Sequence, residues 1–190
     1  MSVDYISPVS DKERRKDTTS LTFRLEQGSV NKLRDEAQKQ GVSINSLVSQ
    51  IINNFFDWHI FEQQVGFVPI LKPVVRELYT SMSKEKILQI VANTTSEESE
   101  NSIYFMKGRL DLESFLSWFE SRMRNSSIQL NHTFDNKSRL HTYVVKHDIC
   151  ENWSLYLKHL IEHIFNEVLE KKVEVSTSFS MLTFRFKQED

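Results

Sequence analysis

Three side chains able to bond the edge of a nucleic-acid base stand at alternate positions near the start of the chain. They are Ser20, Thr22 and Arg24, interleaved with Leu21, Phe23 and Leu25. Arg24 can give a guanine two parallel hydrogen bonds at O6 and N7, worth roughly 1–3 kcal/mol of discrimination, and Thr22 can bond a base edge or touch a thymine methyl. Strict alternation over residues 20–25 predicts a strand with one apolar face. A lone strand of about six residues can neither bury that face nor satisfy its own backbone, so it needs a partner. The next strand-like sequence is far along the chain, which makes the same strand of a second copy the simplest partner.

The elements that must position this strand follow it directly. Val30, Leu33 and Ala37 recur at helical spacing, and Gly41 comes where a residue of positive φ closes a helix at little cost. Ser43 is placed to cap a second helix, whose apolar positions Ile44, Leu47, Val48, Ile51, Ile52 and Phe55 form one stripe. The first helix starts at Glu26-Gln27-Gly28, without a Ser, Thr or Asp cap. This order of strand, helix, Gly-Val-Ser turn and amphipathic helix resembles the ribbon-helix-helix family of the Arc, MetJ and CopG type over residues 18–58. The resemblance implies a homodimeric repressor, whose two strands pair across a dyad and enter the major groove of double-stranded DNA. It places Ser20, Thr22 and Arg24 at base edges. It also places Ser43, Ile44 and Asn45 at a phosphate, held by free amides at a helix N-terminus. Leu21, Phe23, Leu25, Leu47, Val48, Ile51, Ile52 and Phe55 would form the dimer core.

Residues 1–17 read as a flexible arm in which Arg14, Arg15 and Lys16 add phosphate contacts that weaken with salt. The whole chain carries a net charge of -2, so a nucleic-acid surface has to be local.

A second set of reactive side chains lies in the C-terminal half. His132, His141, His147 and Cys150 fall near one expected strand-strand-helix corner, and His159 and His163 stand four residues apart on a helix. Such donors suit zinc, nickel or copper. Beside a ribbon-helix-helix module they are similar in plan to the nickel-responsive repressors. The tight His-x-His pair of that family is absent, Tyr143 standing two residues after His141, and ordinary surface or hydrogen-bonded histidines are the preferred expectation. No metal and no cofactor is therefore expected. There is no Gly-rich phosphate loop, Gly-x-Ser-x-Gly or His-Glu-x-x-His motif, and no enzymatic activity is expected.

With 190 residues, 39% hydrophobic and 26% charged, the chain can bury a sizeable core. A single Cys excludes an intramolecular disulfide, and the first residues lack the apolar segment of a secretory signal. No stretch of about 18 apolar residues offers a membrane span, so a cytoplasmic protein is expected. Residues 18–64 form the expected ribbon-helix-helix domain, with a linker at 63–69. Residues 65–100 read as a helical connector, with helices over 70–93 in two pieces and a polar loop over 93–100. Residues 101–190 read as an α+β regulatory or oligomerisation domain. The expected elements are a strand at 102–107, a helix at 111–124, strands at 128–134 and 140–147, a helix at 150–169 capped by Asp148, and a strand or hairpin at 172–187. That order, βαββαβ, predicts a ferredoxin-like fold, loosely similar in plan to ACT-type regulatory domains. Two other readings stay open, a metal-sensing regulator and an antitoxin-like module that grips a partner protein. A small-molecule or metal effector and association beyond the dimer are compatible with the first reading.

Overall fold

The computed structural model describes residues 19–94 and 99–188. The chain divides into two units, Met1–Leu47 and Val48–Asp190, the division falling inside a helix rather than at residues 63–69.

In the first unit, α1 (Gln27–Gln40) begins on the backbone of Glu26, with no side-chain cap, as the Glu-Gln-Gly start implies. Gly41 closes it at φ 66°, its N–H donating to Gln38 O while the Val42 N–H donates to Ala37 O. The Ser43 hydroxyl then accepts from the Ser46 N–H at 3.0 Å and opens α2 (Ile44–Asn54). Residues 20–25, expected as a strand, form neither helix nor strand, and the described part of the chain gives them no ladder partner. A strand isolated from a partner has no inter-strand hydrogen bonds to define it.

In the second unit, α2 runs on through a π-helical turn at Phe55–His59 and the short α3 (Glu62–Val65). The turn distributes aromatic side chains that one helical face cannot hold. Trp58 is buried while Phe55 and Phe56 are exposed. Phe67 stacks on Trp58 at 4.6 Å, so the segment expected as a linker contributes to a core. Next come α4 (Lys72–Thr80) and α5 (Lys84–Thr94), the second capped by the Ser83 hydroxyl on the Lys86 N–H. Then come α6 (Glu100–Lys107) and α7 (Leu112–Asn125). Asp111 caps α7 by accepting from the Ser114 N–H at 2.8 Å.

The sheet is built from two hairpins joined by a helix. These are β1 (Gln129–Asp135) with β2 (Leu140–Lys146), then α8 (Glu151–His163) with a π-helical turn at Ile164–Val168, then β3 (Glu174–Thr177) with β4 (Met181–Lys187). The strand order is β1-β2-β4-β3, with every neighbouring pair antiparallel. The Asp135 carboxylate fixes the first turn, accepting from the Lys137 N–H and the Ser138 hydroxyl. Alternation sends Tyr143, Val145, Leu182, Phe184 and Phe186 to a buried face. There they meet Phe115, Phe119, Leu157, Leu160, Ile161 and Phe165 of α7, α8 and its π-helical turn. Phe119 approaches Phe184 edge-on at 5.7 Å, and Phe165 meets Phe115 in the same way.

The protein is thus α+β, but the expected ferredoxin-like βαββαβ order is corrected at its first element. Residues 102–107 are helical, because Ile103 and Met106, three apart, are the buried pair while Tyr104 and Phe105 face outward. A one-face stripe at that spacing is helical, and a strand would have paired alternate residues. Residues 172–187 hold two strands, the hairpin of the two forms expected there, and it completes the four-stranded sheet. The helices α3 to α5, expected as a connector, supply Val65, Val75, Tyr79, Met82, Ile87 and Val91 to the same core as the sheet. Residues 95–98 of the expected polar loop lie outside the described residues, whereas Asn93 and Thr94 end α5 and Glu100 begins α6.

Candidate nucleic-acid interface

The described part of the first unit consists of residues 19–26, α1, the Gly41 turn and the start of α2. Ser20, Thr22 and Arg24 are all exposed. Their apolar neighbours are exposed too, Leu21 by 74%, Phe23 by 59% and Leu25 by 54%. These values matter because an alternating segment that had found a sheet within its own chain would have buried one of its two faces.

At the start of α2 the Ser43 hydroxyl serves the Ser46 N–H and shares a 2.8 Å hydrogen bond with the Ser46 hydroxyl. The first intrahelical bond is Leu47 N–H to Ser43 O, at 2.9 Å. The N–H groups of Ile44 and Asn45 precede it and have no acceptor within a regular helix. They form an anion-receptive end with exposed side chains around it. Along the stripe expected to form a dimer core, Leu47 is buried and Val48 half-buried, whereas Ile44, Ile51, Ile52 and Phe55 are exposed. Arg14, Arg15 and Lys16 lie outside the described residues.

The histidines and the cysteine of the C-terminal half do not converge. His132 and His141 meet across the β1–β2 hairpin, Nε2 to Nδ1 at 2.9 Å with near-parallel rings. They sit in an aromatic ladder with Tyr143, Phe134 and Phe186. Burial first, and then the neighbouring His132, hold the His141 imidazole below its usual range. His147 is fully buried and bonded to the Ser154 hydroxyl at 2.7 Å and the Ile149 N–H at 3.1 Å. Cys150 is buried at the start of α8. Asp148, expected to cap that helix, instead takes a left-handed φ of 53°, and the N-cap position falls to Cys150 without a side-chain bond. His159 pairs with Glu162 and His163 with Glu100, each at 3.3 Å, so the i, i+4 pair is divided between two carboxylates. Among the described residues no three His, Cys, Asp or Glu side chains are grouped as metal ligands.

One constellation escaped the sequence reading. Arg122 of α7 lies over the ring of Trp118, 5.2 Å from its centroid, and 5.8 Å from that of Tyr156 on α8, to whose hydroxyl its Nη2 donates at 3.2 Å. The i, i+4 spacing of Trp118 and Arg122 was visible, but Tyr156 arrives from another helix. Among the described residues no helix is long and apolar enough to cross a membrane. Comparison with family models, with curated proteins and with solved structures finds no match to this chain.

Proposed function

We propose that the chain is a cytoplasmic, homodimeric, sequence-specific DNA-binding transcriptional regulator of ribbon-helix-helix type, acting as a repressor, with residues 20–25 of two copies forming a ribbon in the major groove. The observation that carries this reading is the exposure of Leu21, Phe23 and Leu25 on an alternating segment directly before a helix, a Gly41 turn and a Ser43-capped helix. Each such side chain gains about 1.5–3 kcal/mol when fully buried. An antiparallel partner strand related by a two-fold axis offers that burial and supplies the missing ladder. The same pairing leaves Ser20, Thr22 and Arg24 together on the opposite face, towards base edges. The N-terminus of α2 then clamps a phosphate, and the arm with Arg14, Arg15 and Lys16 adds contacts without sequence preference. The second unit serves in effector sensing or further association.

Selection of bound fragments from a random DNA pool is the direct test, and enrichment of a palindromic motif is the expected result. On that motif Arg24→Ala should cost roughly 1–3 kcal/mol and flatten preference at one base position in each half-site, while Arg15→Ala should weaken all sequences alike and reduce the salt slope by about one. An Arg24→Ala protein that shifts every probe as the wild type does would remove the ribbon from the reading.

A further inference from the structure

The second unit holds an open cleft of about 620 Å³, bordered by α3, α5, α6, α7 and α8. Its size is that of a small-molecule site. Phe67, Phe105 and Trp118 line it as apolar and aromatic walls, and Asn101 places an amide beside them. Among the described lining residues Arg122 is the one charged side chain, and none of them is a carboxylate. Nor does Arg122 form an ion pair elsewhere among the described residues. Its guanidinium is oriented by two aromatic rings and one hydrogen bond to Tyr156, which uses one of its five N–H donors. The planar cation is therefore fixed before any ligand arrives, and its remaining edge can meet a carboxylate through two parallel bonds.

We propose that this cleft binds a small organic monocarboxylate with an aromatic body, the carboxylate on Arg122 and the ring against Phe67 and Phe105. The Arg122 guanidinium selects an anion. The flat apolar walls select a ring over a polyol or an inorganic phosphate, neither of which could use them. The proposal stands apart from the DNA-binding reading, because it concerns the second unit alone and its test contains no DNA.

The probe is 3-phenylpropionate, with 3-phenylpropionamide as its uncharged counterpart, titrated calorimetrically into the full chain. Saturable one-to-one binding of the acid is expected, about tenfold or more tighter than that of the amide, the difference a charge-assisted hydrogen bond supplies. Arg122→Gln should weaken the acid about tenfold while leaving the amide nearly unchanged, and Arg122→Lys should restore part of the loss. Phe105→Ala, at a half-exposed position whose truncation leaves the core filled, should weaken acid and amide alike. No saturable binding of the acid, equal affinity for acid and amide, or an acid affinity insensitive to both Arg122→Gln and Phe105→Ala would each overturn the proposal. The acid-to-amide ratio on the wild-type chain decides the matter even if Arg122→Gln does not fold.

Discussion

The Ser154 hydroxyl donates its single proton to Ser178 O at 2.8 Å, so the 2.7 Å bond between it and His147 must be given by the imidazole Nε2–H. The Ile149 N–H donates to the other ring nitrogen, Nδ1, which must then be unprotonated. The partners of this buried ring thus specify one neutral tautomer and leave no room for a second proton. Burial drives the imidazole down to about 4; the adjacent Asp148 opposes that shift and Lys72 adds to it. In the unfolded chain the ring titrates near its ordinary value, so between these two values the unfolded state binds more protons than the folded one. Stability is therefore fully present above about pH 6.5 and declines as pH falls towards 4, by on the order of 3 kcal/mol from this group. His147→Gln should cost about 1–3 kcal/mol at pH 7.5, since Ser154 and the Ile149 N–H lose well-placed partners. It should also lose less stability than the wild type between pH 7.5 and pH 4.5. Urea midpoints at the two pH values measure both effects, and parallel losses in the two proteins would show that His147 is not the titrating group.

At the scale of elements, the junction of α4 and α5 depends on one amide from α8. Asn152 Nδ2 donates one proton to Tyr79 O and the other to Met82 O, both at 2.8 Å, satisfying carbonyls at the end of α4. Tyr79 packs edge-on against Trp153 next to it, so the same turn of α8 supplies the bond and the apolar contact. Asn152→Asp replaces two donors with an acceptor and should destabilise the protein by about 1–3 kcal/mol, at least as much as Asn152→Ala, by urea denaturation. The α6 assignment has its own check. Met106→Ala should cost about 2–5 kcal/mol and Tyr104→Ala less than about 0.5, whereas a strand would not separate the two in that direction. Elements with an end signal were legible: Gly41 closed α1 and Ser43 opened α2 at their expected places. Six residues such as 102–107 carry too few apolar positions to separate a period of 2 from one of 3.6, and there the reading failed. Asp148 met the cap pattern in sequence, but a left-handed backbone and the demands of His147 moved the N-cap of α8 two residues on, to Cys150. The order β1-β2-β4-β3 and the Arg122 cluster rest on contacts between distant segments, which local patterns do not encode.

For the whole molecule, the decisive quantity is how the exposure of residues 20–25 responds to protein concentration. A ribbon made by two copies exists only to the extent that the copies associate, so its backbone amides are protected in proportion to the dimer population. In an antiparallel ladder half of the amides of each strand point to the partner and half point away, the pattern alternating along the strand. Hydrogen exchange on the wild type should therefore show alternating protection over residues 20–25 at high concentration, fading on dilution. Residues 140–146, paired on both sides within their own chain, should stay protected throughout. Phe23→Asp places a charge where the proposed ribbon is apolar, and should abolish the concentration-dependent protection while leaving the sheet of the second unit unchanged. Sedimentation equilibrium on the same two proteins links the exchange to mass. The expected outcome is a dimer for the wild type and a monomer for the variant. Fast, uniform exchange over residues 20–25 in a wild type that sediments as a dimer would place the association elsewhere and separate dimerisation from the ribbon.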